Sequence, residues 1–317
     1  MVSVVICTYN RAASLVETLH SIERMQVPED LSWELVVVDN NSDDDTAEVV
    51  KGFAASSCLN VRYIFEKRQG LSNARNRGIT ESAGEIVVFT DDDVTVGPSW
   101  LQEVSETFRR FDCLAMGGRI VPLWQVARPK WFYEGKPYSL SGAIVEYDLG
   151  PETRETSVVP FGANMAFRRQ AFLRYGNFRP DLGRTKGSLM VGEDTEMFRR
   201  LLRGNEKIVY NAQAMVYHPV IKERMRKEYF ERWYFNYGKA EARMNHGETK
   251  MVCYLGIPRY ILRTAAESLV SWLFTAESSR RFQRKLKVCA LFGHISASFR
   301  WPVLGGQDQA VGGGAAQ

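Results

Sequence analysis

Three adjacent carboxylates, Asp91-Asp92-Asp93, follow a run of apolar residues and are the most distinctive chemical feature of the sequence. Neighbouring carboxylates repel one another unless a cation shares them, and alternate residues of an extended chain project to the same side. Asp91 and Asp93 are therefore positioned to act together on a divalent cation. Mg²⁺ or Mn²⁺ prefers such oxygen ligands and completes its shell with substrate phosphates. An acidic turn in which one aspartate caps a helix would give the same pattern.

Polar residues follow two other apolar runs in the same way, as Thr8-Tyr9-Asn10-Arg11 and as Asp39-Asn40-Asn41-Ser42. A third polar segment, residues 70–78, opens with a glycine that permits a tight entry and contains Arg75 and Arg77. Their planar guanidinium groups can donate to a diphosphate. Arginines on an ordinary solvated helix surface are the alternative for this segment.

The elements that must position these groups alternate regularly over the first hundred residues. Apolar runs at residues 2–7, 33–38, 61–65 and 86–90 predict buried strands, and helical apolar spacing follows each of them. Strand and helix alternating at these lengths predict right-handed βαβ units and a parallel, Rossmann-like sheet. Ligands of such sheets bind beyond the carboxyl ends of the strands. The polar groups are therefore expected to meet at one rim.

The pattern of the next hundred residues is less regular but adds two candidate groups. Strands are predicted at 161–167 and 208–217, with a helix at 194–202. Glu193 and Asp194 begin that helix, where acidic residues are also stabilised simply by the helix dipole. His218 follows the last strand, where a structural histidine is the alternative to a metal ligand.

Taken together, these segments resemble the family 2 glycosyltransferases of the GT-A fold, of bacterial surface-polysaccharide type. The resemblance runs from residue 2 to about residue 220, with the segments in the family's order and spacing. Five segments carry it: Val4-Val5-Ile6-Cys7-Thr8-Tyr9-Asn10-Arg11, Val37-Val38-Asp39-Asn40-Asn41-Ser42-Asp43, residues 70–78, Phe89-Thr90-Asp91-Asp92-Asp93, and Gly192-Glu193-Asp194-Thr195-Glu196.

The resemblance implies an α/β enzyme that transfers a sugar, with inversion, from a nucleotide diphosphate sugar to a glycan or lipid-linked glycan. Its nucleotide pocket would be lined by Thr8, Tyr9 and Arg11. Asp39 would hydrogen-bond the base, which favours a UDP-sugar and leaves guanosine and thymidine donors open. Arg75 would approach the diphosphate.

For the reacting centre, the resemblance implies Asp91 or Asp92 near the ribose or donor sugar and Asp93 on Mn²⁺ or Mg²⁺. The triplet leaves their division of roles open, with Asp91 as a further metal ligand. Asp194 matches the catalytic base, with Glu193 beside it. His218 lies where some members place a further metal or diphosphate ligand.

The composition fits a globular intracellular protein. Of 317 residues, 45% are hydrophobic and 25% are charged, which are ordinary globular values. The five cysteines are widely spaced and form no CxxC pair, so we expect neither a disulfide framework nor structural zinc, and a reducing compartment. The first residues read as a strand, so we expect no signal peptide, and residues 257–274 are interrupted by charges, so we expect no spanning helix. We expect a cytoplasmic location.

We expect a catalytic domain at 1–220, with its nucleotide-binding half at about 1–115 and its acceptor half at about 116–220. A basic, aromatic-rich helical extension at 221–303 and a disordered tail at 304–317 would follow. Residues 221–290 contain 15 Lys/Arg against 7 Asp/Glu. Basic residues beside aromatic ones suit a helix lying on an anionic membrane surface, here the inner face of the cell membrane. Helices packed on the catalytic domain or at a dimer interface are the alternative, and without a recognised binding fold nucleic acid is not expected.

Two other functional classes remain possible from sequence. A nucleotidyltransferase also combines a Rossmann-like sheet with metal-bound acids, but it attacks phosphorus and releases pyrophosphate. Its usual glycine-rich loop is missing after the first strand. A non-catalytic protein that binds nucleotide sugars or glycans is disfavoured by the acidic triplet occurring together with Asp194.

Overall fold

The structure is a computed structural model that describes residues 1–132, 140–245 and 252–300. The tail expected to be disordered, 304–317, lies outside the described residues. The described chain falls into two compact units: residues up to Arg128 together with those from 140 to Met225, and the remainder.

Within the residues described, the first unit is built on a nine-stranded, mostly parallel sheet, as predicted. The strands run in the order β3-β2-β1-β4-β8-β6-β9-β5, with β7 paired to β9. β1 to β4 are mutually parallel where they pair, and β8 is antiparallel to both of its neighbours. The strands are β1 (Val2–Thr8), β2 (Trp33–Asp39), β3 (Val61–Phe65), β4 (Ile86–Asp91), β5 (Thr95–Val96), β6 (Ala115–Trp124), β7 (Arg154–Glu155), β8 (Asn164–Arg168) and β9 (Ile208–Val220).

Helices cover the sheet because its strands are apolar on both faces. Val4, Val5 and Ile6 of β1 are all completely buried, although successive side chains point to opposite sides. Each face therefore needs its own layer of helices. In the described part of the first unit these are α1 (Ala12–Glu23), α2 (Thr46–Ser56), α3 (Leu71–Glu81), α4 (Trp100–Arg110), α5 (Ser141–Ile144), α6 (Arg169–Tyr175) and α7 (Glu193–Arg203).

The sheet reverses its winding direction at β1, which lies between β2 and β4. The register pairs Thr8 with Asp39 on one side, and Cys7 with Asp91 on the other. Asp39 and Asp91 are the last residues of their strands, one residue beyond the predicted strand ends. Three strand ends therefore deliver polar groups side by side at the point where open α/β sheets bind ligands.

Two strands differ from their predicted limits in ways that affect the site. β8 begins at Asn164 rather than at 161, because a turn with a hydrogen bond from Asn164 N to the Phe161 carbonyl, 3.1 Å long, precedes it. β9 continues to Val220, three residues beyond the predicted 217, and so includes His218.

A buried asparagine fastens the centre of the sheet. Asn164 donates through Nδ2 to the Arg119 carbonyl at 3.0 Å and to the Ala214 carbonyl at 2.8 Å. Its Oδ1 accepts a 2.9 Å bond from Trp100 Nε1. One side chain thereby joins β8 to β6, β9 and α4. These bonds require a glycine at position 118, since a Cβ there would collide with both the Asn164 amide and the Ala214 carbonyl.

The second unit is helical, as expected for the carboxyl-terminal extension. It contains α8 (Lys227–Met244), α9 (Arg259–Leu273) and α10 (Ser278–Arg300), with a short hairpin of β10 (Cys253–Tyr254) and β11 (Ile257–Pro258). α8 and α10 approach backbone to backbone at two glycines: a Cβ on Gly238 would meet the Ala290 carbonyl, and one on Gly293 the Phe235 carbonyl. Among the described helices, none combines the length and the apolar character that crossing a membrane requires.

Replacing Asn164 with leucine should strongly destabilise the sheet. The change leaves one indole N–H and two carbonyls buried without partners, at about 1–3 kcal/mol each. We expect the free energy of unfolding, measured by urea denaturation, to fall by about 3 kcal/mol or more. Asn60→Leu, at an exposed position, is the control and should change it by less than about 0.5 kcal/mol. An equally small effect at both positions would contradict the role given to Asn164.

Candidate functional site

The acidic triplet at the end of β4 is compensated by an arginine from the loop after β1. Arg11 Nη1 lies 3.2 Å from Asp92 Oδ1 and 2.6 Å from Asp93 Oδ2. Asp92 is buried, and burial together with repulsion by Asp93 raises its pKa to about 7, against the opposing effect of Arg11. The pKa of Asp93, in contrast, is lowered, so the two neighbouring acids differ in how readily they ionise.

Asp93 is held by a second arginine and a histidine from the other side. Arg224 Nη2 donates to Asp93 Oδ2 at 2.8 Å, and His218 Nε2 lies 3.6 Å from Asp93 Oδ1. Burial would raise the pKa of Asp93, but His218 in its protonated form, Arg224 and Arg11 outweigh it and hold the pKa well below its usual range. Asp93 is therefore a carboxylate at neutral pH.

The contact between Arg224 and His218 defines the state of the imidazole. Arg224 Nη1 lies 3.1 Å from His218 Nε2, and a guanidinium has donors but no acceptor. Nε2 must therefore accept, which leaves the ring proton on Nδ1. Burial lowers the pKa of His218 below its ordinary value, and the charge of Arg224 acts in the same direction while Asp93 opposes it. His218 is therefore a neutral ring whose Nε2 accepts from Arg224 and lies 3.6 Å from Asp93 Oδ1.

Asp91, Asp93 and His218 together fit a divalent cation. One ligand atom from each lies within 4.8 Å of the others, close enough for all three to reach one ion. Two carboxylates and a neutral imidazole are ligands that Mn²⁺ accepts, and the carboxylates also suit Mg²⁺. The guanidinium of Arg224 contacts both Asp93 and His218, so it lies where it competes with such an ion.

A second acidic group begins α7 and is joined to the triplet by Arg75. Arg75 Nη1 lies 2.6 Å from Glu193 Oε1, and its Nη2 lies 3.8 Å from Asp91 Oδ1. Arg75 and Glu193 are both buried. Burial and repulsion by Asp194 raise the pKa of Glu193 to about 7, and Arg75 opposes that rise. Arg75 therefore links the two acidic groups, although it lies 118 residues before Glu193 in the sequence.

Asp194 has different partners from Glu193, although the two are adjacent. Its Oδ2 accepts from Gly162 N at 2.8 Å, and its Oδ1 accepts from Thr195 N at 2.6 Å. The side chain is half-buried, so its remaining lone pairs are not enclosed. The backbone orients this carboxylate, while Glu193 is committed to Arg75.

Gly162 contributes to both groups through its backbone and its missing side chain. Its N–H holds Asp194, and a Cβ at this position would collide with the Arg75 guanidinium. The turn before β8, which displaced the predicted start of that strand, is what brings Gly162 here.

The end of β2 forms a separate polar pocket. Asp39 is buried and accepts from Ser42 N at 2.9 Å and from the Tyr63 hydroxyl at 2.8 Å. Asn40 beside it ties down the segment before α3, accepting from Gly70 N at 2.7 Å and donating to the Arg68 carbonyl at 2.7 Å. The direction in which α3 starts, and hence the place of its arginine, depends on this asparagine.

The structure brings together most of the residues singled out from sequence. Thr8 is buried at the end of β1 and Tyr9 is the half-buried residue after it. Arg75 is placed on Glu193 rather than at an open diphosphate position. Arg77, its sequence neighbour, lies outside the site and pairs with Glu81 at 2.8 Å.

Arg224 is the residue of the site that sequence reasoning missed. It was expected to belong to the basic surface of residues 221–290, yet it is buried against Asp93 and His218. Its position six residues after His218 gives no signal in a segment that is basic throughout. Gly162, expected only to allow close approach, has a specific role through its N–H.

Comparison with known proteins identifies the sequence family and the fold. A family model described as glycosyl transferase family 2 matches residues 3–176. The glucosyl-dolichyl phosphate glucuronosyltransferase of Haloferax volcanii is 30% identical over 227 residues, which is 70% of this chain and 70% of that protein. The succinoglycan biosynthesis protein ExoM of Rhizobium meliloti is 27% identical over 240 residues, or 75% of this chain and 73% of ExoM.

Solved structures give the same answer for the fold. A mannosyltransferase from Pyrobaculum calidifontis in complex with GDP-Man and Mn²⁺ matches with a TM-score of 0.62 at 18% identity, covering 95% of this chain and 87% of that one. GalNAc-T7 with UDP, GalNAc and Mn²⁺ matches with a TM-score of 0.55 at 17% identity, covering 76% and 50%. With the family model matching more than half of its length, this chain belongs to glycosyl transferase family 2.

Proposed function

We propose that this glycosyltransferase moves a sugar, with inversion, from a nucleotide diphosphate sugar to a hydroxyl of a glycan or lipid-linked glycan. The observation that carries the proposal is the pair of acidic groups joined by Arg75, one suited to a cation and one to proton removal. An inverting transfer needs both, because the leaving diphosphate and the attacking hydroxyl are on opposite sides of the anomeric carbon.

In this proposal Asp194 removes the proton of the acceptor hydroxyl as its oxygen attacks the anomeric carbon. Its bonds to Gly162 N and Thr195 N fix the orientation of the carboxylate, as a positioned base requires. Glu193 keeps Arg75 charged and in place rather than sharing the proton transfer. One displacement follows, with no covalent intermediate on the protein.

Asp91, Asp93 and His218 would hold Mn²⁺ or Mg²⁺, which when bound stabilises the negative charge that develops on the departing diphosphate. Arg11 and Arg75 place fixed positive charge beside the same carboxylates. These arginines offset part of the charge of the acids, and a bound cation would supply the remaining positive charge that a polyanionic donor needs. Thr8 and Tyr9 would line the nucleotide side of the rim.

Asp39 would bind the nucleobase. A carboxylate accepts but does not donate, so it suits bases that carry a ring N–H, such as uracil, thymine and guanine. We propose a UDP-sugar as the first donor to test. The two solved neighbours were solved with GDP-Man and with UDP, so guanosine remains a donor to include.

We propose a lipid-linked acceptor, met at the inner face of the cell membrane by the described residues 226–245 and 252–300. The names of two relatives support it: one acts on a glucosyl-dolichyl phosphate, and the other takes part in succinoglycan biosynthesis. Within residues 221–290, Arg224 is excluded from the membrane surface because it is buried in the site.

The first experiment is to measure product release from UDP-, GDP- and dTDP-sugars with Mn²⁺, Mg²⁺ or a chelator. Release of a nucleoside diphosphate in the presence of metal supports the proposal and names the donor base. Release of pyrophosphate would instead identify a nucleotidyltransferase. Donor binding by calorimetry without turnover, even with lipid-linked acceptor supplied, would favour a binding protein.

Asp194→Asn should reduce kcat by about 10³-fold, since a positioned general base contributes on that scale. The amide has only one oxygen, so it can accept from only one of Gly162 N and Thr195 N, and we expect a loss of about 1 kcal/mol in unfolding free energy. The dissociation constant of the donor should stay within about threefold. Steady-state kinetics and calorimetry measure kcat and this dissociation constant. Asp30→Asn, at an exposed position, is the control. An Asp194→Asn enzyme with normal kcat would rule out Asp194 as the base.

Gly162→Ala should lower both stability and turnover, because its Cβ would displace the buried guanidinium of Arg75. We expect a loss of about 1–3 kcal/mol in unfolding free energy, the usual cost of overpacking. The matched control is Gly52→Ala, where nothing lies within 4 Å of the new Cβ. That change, inside α2, should stabilise by about 0.5–1 kcal/mol. If both alanine variants are more stable than the wild type, the close contact between Gly162 and the Arg75 guanidinium would be contradicted.

Arg224→Gln should strengthen Mn²⁺ binding, because the guanidinium occupies Asp93 and His218, which the ion needs. Losing one charge-assisted bond of about 1.5 kcal/mol predicts about tenfold tighter binding, measured by calorimetry without donor. Asp93→Asn should weaken binding by at least as much, and the exposed control Arg109→Gln should leave it unchanged. Weaker Mn²⁺ binding by Arg224→Gln would show that Arg224 supports the ligands instead of competing with the ion.

A further inference from the structure

The hairpin of β10 and β11 in the second unit presents an apolar tip to solvent. Its two-residue turn is Leu255-Gly256, between Tyr254 and Ile257, which are paired in register. Leu255 is 79% exposed, and its neighbours Val252 and Tyr254 are 64% and 54% exposed. Water is therefore in contact with three large side chains within the four residues 252–255.

Leu255 is also unfavourable for the backbone of the turn. Its φ is +52° and that of Gly256 is +79°, the combination of a type I′ turn. That turn favours asparagine, aspartate or glycine at its first position, and a branched apolar side chain there is rare. Leu255 thus has an unfavourable backbone conformation, and its apolar side chain is unfavourably exposed to water. A residue that costs stability twice points to a function that needs an apolar tip.

Other exposed apolar and basic side chains adjoin the hairpin. Gly256 lies against the Ser298 carbonyl, 3.3 Å from where its Cβ would be, and the next residue, Phe299, is 51% exposed. On the side of α9, an open groove of about 330 Å³ is lined by Val252, Arg259, Tyr260 and Arg263. The tip therefore has apolar residues at its end and two arginines at its base.

These two arginines are available to an anionic partner. Arg259 has no ion pair among the described residues, and Arg263 pairs at 2.7 Å with Glu267, at exposed positions of 80% and 60%. Such an exposed pair contributes little and exchanges readily. Residues 252–300 contain eight Lys/Arg and two Asp/Glu, so the surroundings are basic as well.

We propose that this hairpin is the membrane-inserting tip of the protein, with Leu255 entering the hydrocarbon boundary and Arg259 and Arg263 binding the phosphates of anionic lipids. Apolar side chains flanked by arginines match the interface of an anionic bilayer, which is apolar within and negatively charged at its surface. A second copy of the chain is a poorer partner, because two basic surfaces repel each other. The proposal deepens the membrane contact proposed above and is independent of the transfer chemistry.

The sharpest test is Leu255→Asn in the full chain, because asparagine is favoured at this φ and removes the apolar side chain. The variant should be at least as stable as the wild type, so loss of binding cannot be attributed to misfolding. Flotation with phosphatidylcholine vesicles containing phosphatidylglycerol measures membrane binding. We expect about tenfold weaker partitioning for Leu255→Asn, from the lost burial of one leucine. Arg259→Gln combined with Arg263→Gln should remove most of the dependence on phosphatidylglycerol.

Phe274→Asn is the matched control. Phe274 is even more exposed, at 84%, but follows the far end of α9, whose 15 residues span about 22 Å. This variant should bind vesicles like the wild type. Equal losses for Phe274→Asn and Leu255→Asn would overturn the proposal, as would wild-type binding that ignores lipid charge. A dimer that Leu255→Asn dissociates, seen by sedimentation velocity, would assign the tip to a second copy instead.

The release of nucleoside diphosphate from donor alone separates this proposal from the proposed function. Leu255→Asn should leave that release unchanged, since the hairpin belongs to the second unit and no catalytic role is given to it. Vesicle binding without any donor turnover, even with lipid-linked acceptor supplied, would support the tip and refute the transferase mechanism. Turnover without vesicle binding would support the transferase mechanism and refute the membrane-inserting tip.

Discussion

The site depends above all on charge compensation at one rim of the sheet. Two acidic groups, one after β4 and one at the start of α7, place five carboxylates on neighbouring elements, and burial makes their repulsion costly. Three arginines, from the loop after β1, from α3 and from the turn after β9, supply the opposing charge. Removing a single partner would leave a buried charge unpaired, which is far more costly than losing an exposed ion pair. The geometry of the rim is therefore a property of the whole cluster.

The sheet could be predicted because its signal is local. Continuous β-branched runs marked the parallel strands, and turn residues marked their ends, so the rim and its aspartates followed from topology. The start of β8 could not be predicted, since residues 161–163 are as apolar as a strand and their turn is imposed by Asn164 and its buried partners. Residues 257–258 lie within the extension predicted to be helical, but they form the second strand of the hairpin, which sets where α9 begins.

Which residues pair within the site could not be predicted from the sequence. Arg224 lies 131 residues from Asp93, and Arg75 lies 118 residues from Glu193, so no local pattern connects them. The family resemblance implied Asp194 as the base, but it left the roles within the acidic triplet open and gave no physical reason for the difference between Glu193 and Asp194. The division arises from burial and partner choice: Glu193 is committed to an arginine, whereas Asp194 is held by backbone N–H groups.

Gly162 has a consequence for how this enzyme can diverge. Its N–H and its bare Cα serve different neighbours, so a substitution there must be accompanied by a smaller residue at 75, and that change in turn exposes the charge of Glu193. Gly162, Arg75 and Glu193 are therefore expected to change together, because a change at any one of them alone disturbs the contacts of the other two. Exposed residues before Gly162, such as Val158, whose side chain is half exposed, are free of this constraint.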